Sequence, residues 1–347
     1  MNQQEHLSYF LLLSKIKGIG YVRFNQILLK NEQLNISMKD FFHTFPEIEK
    51  NYPFIKNYSK GEILSFKDHI EDEKRTLEVL QTKSIKVVTI LDQNYPYSLK
   101  QSLDLSTPPI LYTMGNQHLF AEKQIAVVGT RVPSIEAKRI TQETSNLLTE
   151  KNIVVTSGYA KGVDKIAHHT ALNSDGKTIL VIGCGFLYFP KAEHLFKSYS
   201  EDNILIMSEF HPDFGWHKGQ LMTRNKTICG LSESVIVVES RENGGSYRTG
   251  SFSLMLNKPL YAIAYPKQTD HNSGNFKLIE NGAHSLIYEG EQSIIEQLET
   301  VTENMASRKY ENNINQFSLF DELREKIKSY LETKKPFPVL MENEYFS

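Results

Sequence analysis

Positively charged side chains stand where short apolar runs give way to glycines and hydroxyls, and that pairing is the chemistry of anion binding. The segment Val128-Gly129-Thr130-Arg131-Val132-Pro133-Ser134 ends one such run. Gly129 permits a tight turn, Ser134 is placed to cap a following helix, and Arg131 offers a planar fork of donors where an anion would sit. A second exit, Thr156-Ser157-Gly158-Tyr159-Ala160-Lys161-Gly162-Val163-Asp164, sets two glycines, a hydroxyl and a lysine at the mouth of a helix. Gly183-Cys184-Gly185-Phe186 forms a third. The fourth runs from Glu239 to Thr249, with Gly244, Gly245 and Ser246 opening a helix. One glycine at a strand-to-helix turn is routine. Several exits on one edge, with Arg131, Lys161, Arg224 and Arg248 along it, make a groove suited to a phosphate-bearing ligand.

Those exits need strands and helices to carry them. Short β-branched runs occur at Ile85 to Leu91, Ile125 to Gly129, Ile153 to Ser157, Thr178 to Gly183, Ile204 to Met207, Val235 to Glu239 and Leu260 to Ala264. Runs that are apolar on both faces suit a parallel sheet covered on both sides. The segments Ser134 to Glu150, Val163 to Ser174, Gln220 to Cys229 and Tyr247 to Leu256 have the lengths of crossover helices. The expected architecture is α/β, a doubly wound and mostly parallel sheet over residues 84–292, whose ligands gather beyond the carboxyl ends of the strands.

Residues 1–80 read as a small helical domain. Leu7, Phe10, Leu11 and Leu13 form one apolar stripe, and Gly18-Ile19-Gly20 turns the chain into a second from Val22 to Leu29. Such a turn can aim amides at a phosphate or simply close a helical hairpin. Phe41 to Tyr58 reads as a loosely helical connection. Beyond Val301 a polar segment reads as a linker, so that residues 301–347 comprise a linker, a short helix from Leu319 to Leu331 and a tail.

Composition narrows the classes. With 39 Lys+Arg against 41 Asp+Glu in 347 residues, the chain lacks the basic excess of a protein that coats duplex DNA, and any nucleic-acid partner must be held by a local patch. No apolar run reaches the ~18 residues of a membrane span, and a cytoplasmic protein with no membrane partner is expected. Cys184 and Cys229 read as small buried hydrophobes. There is no G-x-x-x-x-G-K-[ST], no G-x-G-x-x-G at the first central exit, no serine elbow and no metal-spaced cluster. Neither a catalytic constellation nor a cofactor is therefore expected. His168 and His169 read as one core-facing and one solvent-facing residue of a helix. Glu209, after the run ILIMS, can serve as a base, bind a ribose or hold a loop.

The succession NYPYSL, PPILYTMG, AVVGTR, SGYAKGVDKIAHHTAL, GKTILVIGCG, MSEF, TRNKTICGLSESVIVVES, GGSYRTG and SGNFKLIENGAH, over residues 94–286, resembles the DprA/Smf DNA-processing family. The resemblance implies a Rossmann-like domain that binds single-stranded DNA, forms a homodimer and loads RecA recombinase onto that DNA in transformation or recombination. It implies a sterile-alpha-motif-like character for the N-terminal helices. It places DNA phosphates at Arg131 and Lys161, with Arg224 and Asn225 lining the same groove. The full phosphate-binding set is then Gly129, Thr130, Arg131, Ser157, Gly158, Lys161, Gly162, Arg224, Asn225, Gly244, Gly245 and Ser246. Tyr159 or Phe186 can stack a base. An ion pair with Glu209 is the alternative role for Arg224. The chain departs from the family at Tyr265-Pro266-Lys267, where Pro-Gly is usual, and at Tyr247-Arg248-Thr249-Gly250, where small apolar residues are common.

In the tail, Gln316, Ser318, Leu319 and Phe320 resemble the peptide by which replication and repair proteins dock on the DNA sliding clamp. The same residues also suit a helix cap and its apolar anchor. The expected function is that of a non-enzymatic single-stranded DNA-binding recombination mediator. Two alternatives stand beside it: a nucleotide-binding enzyme or sensor on a related scaffold, and an accessory of an anti-phage system.

Overall fold

Apolar residues recurring at three- and four-residue spacing make the N-terminal part helical. In the computed structural model, which describes residues 3–307, this part forms α1 (Gln3–Lys15), α2 (Tyr21–Leu34), α3 (Met38–Ile48), α4 (Asn57–Leu64) and α5 (Ile70–Thr82). Gly18 takes φ +83° in the α1–α2 turn and lies under the Tyr58 ring, where a side chain has no room. The segment expected as a loosely helical connection is helical at both ends, in α3 and α4, with a short 3-10 turn at Glu49–Asn51 and an irregular stretch between them. Ser37 and Asp40 form a reciprocal capping box at the start of α3, which buries Phe41, Phe42 and Phe45.

The chain continues through β1 (Lys86–Thr89), α6 (Tyr97–Leu103), β2 (Ile110–Gly115), β3 (Gln124–Val128), α7 (Ile135–Glu150), β4 (Val154–Ser157) and α8 (Val163–Asn173). It follows with β5 (Thr178–Val181), α9 (Lys191–Ser198), β6 (Ile204–Ser208), α10 (Lys218–Leu231), β7 (Ser234–Val237) and α11 (Gly245–Met255). The described part closes with β8 (Leu260–Ala264), α12 (Ser273–Glu280), β9 (His284–Ile287) and α13 (Glu291–Ser307).

One sheet of nine strands results among the described residues, in the order β1-β2-β6-β5-β4-β3-β7-β8-β9. The β1–β2 and β2–β6 pairs are antiparallel. All other pairs are parallel. From β3 the chain winds outward to β6 and then returns to lay β7 on the other side of β3. The β3–β7 boundary is thus the topological switch point, where the crossovers diverge and leave a crevice at the carboxyl edge.

Successive residues of β3 enter opposite apolar layers: Ile125 and Val127 pack with α7 and α8, whereas Ala126 and Val128 belong to the layer on the other face. Burial on both faces explains why the central strands read as unbroken apolar runs. The second layer continues without a break into the N-terminal helices, through Tyr112, Phe24 and Phe10. Cys184 and Cys229 are both fully buried, as expected. Residues 302–307, expected as linker, instead complete α13, whose Ile294, Leu298 and Val301 pack in the layer containing α7. Their spacing is that of a helical stripe. Among the described residues, no helix is long and apolar enough to cross a membrane.

Candidate functional site

A cleft of about 500 Å³ opens at the switch point, between the exits of β3 and β7. Its walls are set by backbone hydrogen bonds. The Thr130 amide donates to the Glu239 carbonyl at 2.7 Å, and the Thr130 carbonyl accepts from the Val163 amide at 3.2 Å. The buried Glu239 carboxylate accepts from the Ser134 amide at 2.9 Å, and the Ser134 hydroxyl caps α7 through the Ala137 amide at 3.1 Å. The β3 exit is therefore pinned at both ends, leaving Arg131 exposed between them. Gly162, at φ +83°, lets the β4 exit lie against the Thr130 and Arg131 backbone, where a side chain would collide. Below the β7 exit, Asn275 is fully buried. Its amide nitrogen donates to the carbonyls of Val237, Val238 and Ile263, while its oxygen accepts from the Ser240 amide at 2.7 Å.

Arg224 forms the floor of the cleft. It is only 5% exposed, and its guanidinium lies against the Cα of Gly158. Asp164, equally buried, braces the β4 exit, its Oδ2 accepting from the amides of Gly158 (3.2 Å) and Ala160 (3.4 Å). Burial lowers the basicity of Arg224 and nearby Arg131 adds to the effect, while Asp164 and Glu209 oppose it. The Nε atom has no hydrogen-bond partner. The alternative Arg224–Glu209 ion pair does not form. Glu209 instead accepts the Thr227 hydroxyl at 2.7 Å, and burial pushes its carboxyl up to about 7. A buried guanidinium in ion-pair contact with no carboxylate, lining an open cleft, is set up to receive an anion.

Asn225 lies beside Arg224 and reaches the Gly245 carbonyl at 3.5 Å. No side chain caps α11 at Gly244, and open space surrounds the Gly245 Cα, so the first amides of that helix face the cleft. The Ser246 hydroxyl is hydrogen-bonded to that of Ser240 at 2.9 Å. Five cations line the cleft (Arg131, Lys218, Arg224, Arg241 and Arg248) against one carboxylate, Asp164. The surface is thus locally basic in a chain of net charge −2.

The fold brings Gly129, Thr130, Arg131, Arg224, Asn225, Gly244, Gly245 and Ser246 to this one cleft. Ser157 and Gly158 act from beneath: Gly158 makes room for Arg224, and the buried Ser157 hydroxyl donates to the Val127 carbonyl at 2.7 Å. Lys161 is exposed on the β4 exit, outside the cleft lining. Phe186 is 5% exposed and offers no face for stacking. Tyr159 is half-buried against the Phe189 ring, with centroids 5.7 Å apart. His168 is buried and His169 partly exposed, as expected. Lys218 and Arg241 were not singled out from sequence, although each stands where a β6 or β7 connection meets the cleft. Gln316, Ser318, Leu319 and Phe320 lie outside the described residues.

The same chain matches the family model of DNA recombination-mediator protein A over residues 86–299. It is 34% identical over 209 residues to the DNA processing protein DprA of Streptococcus pneumoniae, covering 60% of this chain and 73% of that protein. Protein Smf of Synechocystis is 28% identical over 291 residues, or 82% of this chain and 71% of the relative. The X-ray structure of the S. pneumoniae DprA superposes with a TM-score of 0.65 at 26% identity, covering 84% of this chain and 97% of that one. A DprA structure from Helicobacter pylori, described for its single-stranded DNA binding mode, gives a TM-score of 0.53 at 28% identity over 62% of this chain and 96% of that one. With the matched region spanning more than half of its length and the cleft assembled from the motifs within it, the chain belongs to the DNA recombination-mediator protein A family.

Proposed function

We propose that this protein binds single-stranded DNA across the carboxyl edge of its sheet and acts, without enzymatic chemistry, as a homodimeric mediator that loads a RecA recombinase onto the strand in the cytoplasm. One observation carries the reading: a buried arginine in ion-pair contact with no carboxylate faces a cleft ringed by four further cations and by the uncapped amides of α11. A phosphodiester chain supplies the anions such a site lacks, and the family relationship supports the choice of DNA. The recombinase, the dimer and docking on the sliding clamp through the Gln316–Phe320 peptide belong to the same proposal.

The test is binding of the full chain to fluorescent oligo-dT and to the matching duplex over a salt series. The expected result is tight, salt-sensitive binding selective for the single strand, followed by accelerated RecA assembly on DNA precoated with single-strand-binding protein. Stabilisation by mononucleotides without any binding of oligonucleotides would replace this reading with that of a nucleotide sensor.

A further inference from the structure

Two aromatic side chains project from the same sheet edge, beyond the cleft. Trp216, in the connection after β6, is 56% exposed, and Tyr188, after β5, is 50% exposed. Their support is rigid. The Gly185 amide donates to the Phe214 carbonyl at 2.8 Å, the Leu187 amide to the Pro212 carbonyl at 3.1 Å, and the Phe214 amide to the His211 carbonyl at 2.9 Å. These bonds lace the two connections together. The Tyr188 ring lies over Gly215, and the Trp216 ring shares the surface of Gly183 with Leu221, a residue of the cleft lining. The apolar surface is thus continuous from the cleft through Leu221 to Trp216.

Cations accompany this surface. Lys165, in the first turn of α8, lies over the Tyr159 ring at 5.1 Å from its centroid, and both Lys191 at the start of α9 and Lys161 of the β4 exit are close enough to repel its ammonium group. Burial, followed by that repulsion, holds Lys165 below its usual basicity. No ion pair joins any of the three to a carboxylate among the described residues. Ammonium groups without a carboxylate partner, on the same sheet edge as fixed, exposed rings, match a ligand that presents alternating phosphates and flat bases.

We infer that the exits of β5 and β6 form a base-stacking subsite, in which Trp216 and Tyr188 receive unpaired bases of a strand whose phosphates run from the cleft past Lys161, Lys165 and Lys191. The inference rests on the proposed DNA-binding function and deepens it by assigning stacking to Trp216 rather than to Tyr159 or Phe186. Duplex DNA cannot use the subsite, because its base faces are already stacked.

Trp216 is the only tryptophan of the chain, so its fluorescence reports this position alone. Titrating the full-length protein with oligo-dT should quench that emission in step with the anisotropy of a labelled oligonucleotide, and the matching duplex should not. Trp216→Ala should weaken oligo-dT binding about 5- to 100-fold while leaving the salt dependence of binding unchanged, since no charge is lost. Trp216→Phe, which keeps an aromatic face, should recover most of the affinity. Thermal melting of each variant verifies that it is folded. Wild-type affinity in Trp216→Ala, or emission indifferent to bound oligo-dT, overturns the subsite while leaving the DNA-binding function standing. Failure of the folded wild-type protein to bind oligo-dT at all overturns both.

Discussion

The Arg224 guanidinium rests directly on the Cα of Gly158, so that a Cβ built on Gly158 would fall among the guanidinium atoms. The S-G motif of the β4 exit and the R-N motif of α10, 66 positions apart in the sequence, are therefore two halves of one contact. Only glycine at one lets arginine lie flat at the other. Gly158→Ala should drive the guanidinium out into the cleft. Since one face of Arg224 opens on solvent, the stability loss should be modest, about 1 kcal/mol, whereas DNA affinity should fall. Arg224→Lys removes the planar group and relieves the clash, so the double variant should lose less than the two single losses combined. Strict additivity in chemical denaturation would refute the contact.

Arg131 is exposed and its side chain makes no hydrogen bond or ion pair among the described residues, while the loop that carries it is pinned through Thr130 and Ser134. Arg131→Ala should leave the denaturation midpoint unchanged, weaken single-stranded DNA binding and reduce the salt slope by about one phosphate contact. Anisotropy at several salt concentrations measures both quantities. An unchanged slope would remove Arg131 from the phosphate path.

Glu209 links stability to pH. Burial raises its carboxyl from 4.5 to about 7, so the folded state keeps a proton that the unfolded chain has released. Its stabilising effect is complete below about pH 4.5 and fades as pH rises through about 7, at a cost of at most about 3 kcal/mol above that point. Glu209→Gln, which stays neutral, should be more stable than wild type at pH 8 and nearly equal to it at pH 4.5. Urea denaturation at the two pH values decides the matter, and a gain of equal size at both would argue against the linkage. His168 has the opposite sign: burial lowers its imidazole to about 3, so its contribution is present above about pH 6.5 and is lost as pH falls through about 3.

The N-terminal helices are tied to the sheet by a polar network in which Glu73 and His211 are buried while Lys15 and Asp213 reach solvent. Glu73 of α5, 1% exposed, meets Lys15 of α1 at 3.1 Å and His211 after β6 at 2.8 Å. Asp213 completes the group by bonding to both His211 and Lys15. Glu73→Ala removes the buried carboxylate but leaves Lys15 and His211 bonded to Asp213, so it should destabilise the protein by about 1–3 kcal/mol. Denaturant titration provides the measurement. A loss below about 1 kcal/mol would mean that the Glu73 bonds add nothing to stability beyond those of Asp213.

Much of the fold was legible in the sequence because the central strands are buried on both faces. That demand produces contiguous β-branched runs such as Ile125 to Val128, and the return of the chain after each run requires a helix. β2 and β9 escaped notice for the same reason in reverse. β2 mixes Tyr112 and Thr113 into its run and pairs antiparallel on both sides, and β9 leaves His284, Ser285 and Ile287 exposed. The polar stretch after Val301 concealed the end of α13, whose apolar stripe became recognisable only against α7.

The sequence by itself determined the parallel α/β class, the glycine-bearing strand exits and the cations that stand near them, because these follow from local chain geometry and strand periodicity. The tertiary structure alone decided which of those cations meet. Strand order makes β3 and β7 neighbours, and so Arg131, Arg224, Arg241 and Arg248 share one cleft while Lys161 falls outside its lining. It also left Arg224 in direct ion-pair contact with no carboxylate, turned the Ser157 hydroxyl inward and set Trp216 out in solvent. Each of these outcomes depends on which distant surface a side chain packs against, and sequence spacing carries no measure of that distance.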